Sequence, residues 1–296
     1  MPKHGQLVIS GETNVGKSLA ALEIASSLAT GNPLWGSLEP AMRINKILYV
    51  LGEHYVGVIQ RLLQVTRLPM PDTAYILGPE KLGFDKWLVS HGKPNSGSIS
   101  KFQRWAEGVD LIVWDPLSAF VLGSDAESDN IGMRLVLDMM SLVSQTSGSA
   151  SLILAHHGKP GMDRMGNEYT RSRYATRGAS AIEDAATNIY YMQQAESHTG
   201  KQADGKLFDL NLRKYKGNAP EKYRLLRDPD TLTHTLLGNR GAYQDVQKAQ
   251  LLSKIHRLQI AQPQMEYRTC VRLIAAAEGL SEETVKRQIG LSAVGS

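Results

Sequence analysis

The segment Gly11-Glu12-Thr13-Asn14-Val15-Gly16-Lys17-Ser18 constrains this chain more than any other stretch. It follows a short apolar run, Leu7-Val8-Ile9, and precedes a helix-forming run, Leu19-Ala20-Ala21-Leu22-Glu23-Ile24-Ala25. Strand, glycine-bounded turn and helix N-terminus in that order make an anion cradle. The glycines let the backbone curl so that its N–H groups surround a phosphate, and the helix end adds partial positive charge at the same spot. The spacing G-x-x-x-x-G-K-[ST] assigns Lys17 to the β- and γ-phosphates of a nucleotide and the Ser18 hydroxyl to Mg²⁺. ATP and Mg²⁺ are therefore the expected cofactors.

Further apolar runs recur at 47–51, 111–114, 152–155, 189–192 and 208–212. They are continuous rather than alternating, the pattern of strands buried on both faces of a parallel sheet. Helix-like stretches at 17–28, 56–66, 100–107 and 133–145 lie between them. Strand–helix alternation predicts an α/β fold with a doubly wound, mostly parallel sheet. The runs at 208–212 and 223–226 flank a turn-rich stretch, Lys216-Gly217-Asn218-Ala219-Pro220, and read as an antiparallel edge. Two stretches, 91–98 and 158–176, read as loops. Past Gly241 the pattern is wholly helical, so the expected division is an ATPase domain over 1–240 and a small helical region over 241–296.

Carboxylates stand where such a sheet presents its ligands, at strand C-termini. Asp115 ends the run Leu111-Ile112-Val113-Trp114 and is positioned to hold Mg²⁺ with Ser18; alternatively it is a strand-end turn residue before Pro116. Glu53 follows Ile47–Leu51 and Gly52, as a base that orients or deprotonates the attacking water. Its bland alternative is a helix-capping acid. His54 is read as a structural loop histidine. Another run, Leu152-Ile153-Leu154-Ala155, ends in His156 and His157. A polar side chain there can touch the γ-phosphate and respond when it leaves. A structural role and metal binding are the alternatives, though adjacent strand residues point to opposite faces, which disfavours one shared ion.

Composition sets the outer limits. No run of about 18 apolar residues occurs, the length a membrane helix needs. The first residues carry no signal-peptide pattern, and the single cysteine, Cys270, excludes an internal disulfide framework and fits a reducing cytoplasm. A net charge of +4 favours a polyanionic partner only weakly.

With these motifs assembled, the chain resembles the RecA-like ATPases, and more narrowly the RepA-type hexameric replicative helicases, with a more distant similarity to DnaB-type helicases. The resemblance covers about residues 5–226. It rests on Gly11–Ser18, Gly52-Glu53, Leu111–Asp115, the acidic stretch 123–130, Leu154–His157 and Arg177-Gly178-Ala179-Ser180, in that order. It implies a ring, most often a hexamer, with Glu53 as catalytic glutamate, Asp115 as the second magnesium-site residue and His156 or His157 as phosphate sensor. It also implies nucleotide sites between subunits, with a neighbour supplying basic finger residues. Arg213, Lys214 and Lys216 are similar to that element, but a lysine stands at the second finger position, where the family has arginine, and lysine lacks the planar two-pronged contact. The chain starts almost directly on its first strand, which argues against the large N-terminal domain of a complete DnaB-type helicase.

After the two histidines comes a segment carrying Lys159, Arg164, Arg171, Arg173 and Arg177 against Asp163 and Glu168, with Tyr169 and Tyr174 interleaved. Cations pair with phosphates and aromatics stack on bases, a combination that suits single-stranded DNA without sequence preference. A solvated loop is the alternative. The tail, 267–289, reads as two helices around Gly279. A helical cap or oligomer contact suits it better than duplex reading, because Glu282 and Glu283 open the second helix. The leading expectation is an ATP-driven motor on single-stranded DNA, of the plasmid or phage replicative helicase kind. The alternatives are a DNA-binding regulatory ATPase and a small-molecule kinase.

Overall fold

The structure, a computed structural model, describes residues 5–123, 130–156, 161–162, 168–169, 179–195, 206–214, 222–237 and 243–289. Nine strands form the main sheet: β1 (Gln6–Gly11), β2 (Ile47–Leu51), β3 (Ala74–Leu77), β4 (Leu111–Asp115), β5 (Ala150–His156), β6 (Asn188–Gln194), β7 (Lys206–Lys214), β8 (Lys222–Arg227) and β9 (His234–Leu237). Their spatial order is β9-β8-β7-β6-β1-β5-β4-β2-β3. Pairing is parallel from β6 through β3 and antiparallel from β6 out to β9. The principal helices are α1 (Lys17–Thr30), α2 (Val56–Thr66), α3 (Ser96–Trp105), α4 (Asn130–Ser147), α5 (Ala179–Ala185), α6 (Tyr243–Ala261), α7 (Tyr267–Ala277) and α8 (Glu282–Ile289).

The apolar runs are continuous because both faces of the sheet are covered. Successive strand residues point to opposite sides. Ile47, Tyr49 and Leu51 of β2, Leu111 and Val113 of β4, and Leu152 and Leu154 of β5 pack with α1 and α2 through Ala21, Leu22 and Ile59. Their neighbours Leu48, Val50, Ile112, Trp114 and Ile153 pack with α3 and α4 through Phe102, Val136 and Met140. The resulting fold is the expected mixed α/β sheet with antiparallel edge strands. Two strands carry weaker signals. β3 is a half-exposed edge strand, and β9 opens on the polar His234-Thr235.

The stretch 91–98 departs from the loop expected there. Val89–Ser90 pairs with Lys93–Pro94, and Val89–Ser90 also pairs in parallel with Val121–Leu122. The Asn95 side chain then accepts the Ser98 N–H at 3.3 Å. That cap satisfies a donor that the first turn of a helix leaves open, so α3 begins at Ser96 rather than Ser100.

The three C-terminal helices close over their own apolar cluster of Leu251, Ile255, Cys270, Val271, Ile274, Ala275, Val285 and Ile289. They attach to the turn after β8. One Asp228 carboxylate oxygen accepts the backbone N–H groups of Asp230 at 2.9 Å and Thr231 at 2.8 Å. The other accepts from Ser253 and Arg257 of α6. Burial would raise the Asp228 carboxyl, but the Ser253, Thr231, Arg257 and Asp230 donors outweigh it and hold the pKa at about 2. Between α1 and α6 lies a cavity of about 890 Å³, lined by residues including Thr30, Trp35, Thr66 and Gln259. None of residues 11–18 lines it.

Candidate nucleotide site

Parallel pairing fixes which residues share the sheet edge. Gly11 of β1 stands opposite His156 of β5 on one side and Met192 of β6 on the other. Leu51 of β2 stands opposite Asp115 of β4, and the chain continues from Leu51 to Gly52 and Glu53. The C-terminal ends of four strands thus bring the 11–18 loop, Glu53, Asp115 and His156 to one edge.

The loop takes the conformation its sequence permits. Asn14 has φ 64° and Gly16 has φ 104°, the left-handed region that asparagine and glycine enter most cheaply. Gly16 caps α1, which aims the helix N-terminus back into the loop. Lys17 is 6% exposed. Its Nζ donates to the carbonyl oxygens of Gly11 at 3.0 Å and Glu12 at 2.6 Å. Burial lowers its pKa to about 8, offset in part by the charges of Asp115, Glu12 and Glu53. An ammonium held so near titration gains strongly from a phosphate beside it.

Asp115 is buried, and burial raises its pKa against the pull of Ser18, Tyr49, His54 and Lys17. The Ser18 hydroxyl bonds its carboxylate. The Tyr49 hydroxyl donates to Asp115 Oδ2 at 2.8 Å. Burial, together with the Asp115 charge, pushes the Tyr49 phenol well above its usual range, so Tyr49 remains a proton donor. A hydroxyl and a carboxylate side by side at the loop's helix end suit Mg²⁺, which takes few protein ligands and completes its shell with phosphate and water.

Glu53 is less buried. The His156 imidazole beside it, at 3.8 Å between Nε2 and Oε2, is the main influence holding its carboxyl below the usual range, with Ser118 assisting and burial opposing. The Ser118 Oγ lies 3.4 Å from Oε1. An ionised carboxylate at this edge can orient a water molecule. His156 Nδ1 is buried and has no partner among the described residues. Gly52 fixes where the acid emerges. Its N–H donates to the Asp115 carbonyl at 2.8 Å, and its carbonyl accepts from Lys86 at 3.0 Å.

Close approach also dictates two glycines. A Cβ on Gly11 would stand 2.3 Å from the Met192 carbonyl oxygen, and one on Gly52 would stand 2.1 Å from the Ala119 Cβ. Neither space accepts a methyl group.

Other expected site residues lie elsewhere. Arg213 pairs with the Glu183 carboxylate, and Lys214 donates to the Glu183 carbonyl. Lys214 stands opposite Ile189 near the start of β6, at the sheet edge away from the 11–18 loop. His157, Lys159, Arg164, Arg171, Arg173, Arg177 and Lys216 lie outside the described residues. In the tail, Lys286 pairs with Glu282 at 2.6 Å, which occupies the charge a duplex-reading helix would offer.

Reading the sequence did not single out Tyr49, Ser118 or Lys86. Tyr49 carried a usable signal, since it lies two residues before Leu51 on the face that β4 turns toward α1.

The AAA domain family profile matches residues 1–162, more than half of the chain. No curated protein matches it. Among solved structures, the chain is similar to the flagellar accessory protein FlaH from Methanocaldococcus jannaschii, with a TM-score of 0.50 and 11% identity, over 80% of this chain and 90% of that one. That likeness concerns the fold. Among the described residues no helix is long and apolar enough to cross a membrane. With a RecA-like sheet and a family profile that matches more than half of its length, this chain belongs to the AAA domain family as a nucleotide-dependent ATPase.

Proposed function

We propose that this ATPase is a ring-forming motor, hexameric when working, that acts on single-stranded DNA in the manner of plasmid- and phage-type replicative helicases. The observation that carries the reading is the junction at His156. Its imidazole stands beside Glu53 at the nucleotide edge. The chain passes from it straight into the segment bearing Lys159, Arg164, Arg171, Arg173 and Arg177, with Tyr169 and Tyr174. A group beside the γ-phosphate position therefore begins a basic, aromatic segment of the kind that grips phosphates and stacks bases.

In this reading Lys17 holds the β- and γ-phosphates and Glu53 orients the water. Ser18 and Asp115 hold Mg²⁺, which offsets phosphate charge when bound. His156, with His157 next to it, answers to the γ-phosphate. Arg213 and Lys214, with Lys216 following, serve the site of the neighbouring subunit. The position of Arg213 and Lys214 at the opposite sheet edge supports action in trans, because a finger for a neighbour has to leave its own site behind.

The test is ATP turnover with and without single-stranded DNA, together with a mass measurement in a non-hydrolysable ATP analogue. Stimulation by DNA and a hexamer mass are expected. Turnover indifferent to DNA, with a monomer across micromolar concentrations, sinks the proposal. Duplex binding without unwinding, lost on removing residues 243–296, favours a DNA-binding regulatory ATPase instead. Arg171→Ala and Arg173→Ala should each weaken DNA binding whatever its sequence and lower the salt slope by about 1.

A further inference from the structure

β8 ends in Tyr223-Arg224-Leu225-Leu226-Arg227. Tyr223 and Leu225 pack on the α1 side of the sheet, and alternation puts Arg227 on the same side. There Arg227 stands directly opposite His234 of β9. Its guanidinium lies over the Phe208 ring, 4.5 Å from the centroid. The Phe208 and His234 rings meet edge to face at 5.6 Å.

This cluster abuts the phosphate loop. A Cβ built on Gly16 would lie 3.1 Å from Arg227 Nη1 and 3.9 Å from His234 Cε1. The loop side of the cluster holds two polar side chains, Arg227 and His234, each with a group that has no partner among the described residues. The Arg227 side chain makes no ion pair or hydrogen bond among the described residues, although burial lowers its pKa, with Glu23 acting against that only through space. His234 has no side-chain exposure, and its Nε2 has no partner among the described residues. Its other nitrogen is fully used. Nδ1 meets Glu23 Oε2 at 2.7 Å, and the His234 backbone N–H donates to Glu23 Oε1 at 2.6 Å. Glu23, on α1, also accepts from Trp35 Nε1 at 3.0 Å. The histidine is thus locked in place while one of its nitrogens goes unanswered.

A partly buried cation with no counter-charge in contact is costly, and an anion brought beside it relieves that cost. Gly16 is one of the residues whose backbone N–H groups surround that anion. We propose that Arg227, supported by Phe208 and His234, is a nucleotide-binding residue acting in cis, which grips the phosphates that ADP and ATP share. Phe208 covers one face of the guanidinium, leaving its N–H edge for phosphate oxygens, the fork-like contact arginine makes best. The site then has two cations of different origin: Lys17 from the loop and Arg227 from the antiparallel edge of the same chain. The inference rests on nucleotide occupying the 11–18 loop and is independent of any action on DNA.

Arg227→Met keeps an unbranched side chain on Phe208 and removes the charge. The measurement is competition of ADP, and separately of inorganic pyrophosphate, against a fluorescent ADP analogue, with the thermal midpoint followed in parallel. Both ligands should lose about ten- to hundredfold in affinity, and Arg227→Lys should fall between. Parent-like affinity for both ligands overturns the proposal. So does weakening of ADP alone with pyrophosphate unchanged, since that marks a base contact. Lys17→Ala measured beside it separates the two failures. If that variant also binds like the parent, the nucleotide-site reading fails; if only Arg227→Met does, the cis contact fails. Should Arg227→Met melt early, Arg227→Lys at matched stability carries the test.

Discussion

The strand-end edge and the C-terminal helices bury very different things. At the edge, Lys17 and Asp115 are almost wholly enclosed, and each is answered by a neighbour. The Lys17 ammonium is answered by two carbonyls, and the Asp115 carboxylate by Tyr49 and Ser18. The helices close over an apolar cluster built from Leu251, Ile255, Val271, Ile274 and Val285. Their described charges sit on the surface, as in the Lys254–Glu278 pair at 2.6 Å, or on the seam, as in Arg257 with Asp228. Buried polar groups are expensive unless paired. The paired Lys17 and Asp115 at the edge mark where the fold has given up packing for chemistry, whereas the apolar cluster of the helices marks a unit that holds shape.

Substitutions can break that contrast, starting with the largest effect on turnover. Lys17→Ala should cut ATP hydrolysis by about a thousandfold, in the range seen when a group that stabilises transition-state charge is removed, with the thermal midpoint kept. Surviving turnover would move the phosphate site elsewhere. Glu53→Gln should slow kcat by about a hundredfold while leaving nucleotide affinity near its parent value; a loss confined to affinity would recast Glu53 as a binding group.

A pH series sharpens the same point. With a pKa of about 8, Lys17 is charged below that pH and neutral above it. Only the charged form attracts phosphate. Affinity for ATP should therefore be flat below pH 8 and fall about tenfold per unit above it, and Lys17→Arg should flatten the profile. Ile255→Ala should have the smallest effect on turnover, within about twofold, while costing the helical unit about 2–5 kcal/mol of local stability. Hydrogen exchange in 243–289 reads the second quantity. A large drop in turnover would show that the two regions are not separate in function.

Much of the sheet was legible because its strands are covered on both sides, which forces uninterrupted apolar runs such as Ile47–Leu51. The 11–18 loop was legible because its glycines are demanded by backbone geometry at fixed spacing, with Lys17 directly after the second. Residues that meet only through the sheet were not. Gly16 and Arg227 are 211 positions apart, and a strand that opens on His234-Thr235 carries no apolar signature. The Glu23–His234 pair looks in sequence like two surface residues, and only the placement of β9 beside α1 buries it. The start of α3 was misplaced because Asn95 sits in a stretch rich in Gly, Pro and Ser, where a cap and a loop share the same composition.

The tight contacts at Gly11 and Gly52 have a consequence for how this chain can drift. Both residues stand between neighbouring strand ends or turns like shims of fixed thickness, setting how near the loop and the acid can come to each other. The exposed Glu12 and Thr13 can be exchanged and leave the cradle in place. One added carbon at position 11 or 52 would instead wedge the edge open and retire every group along it at once.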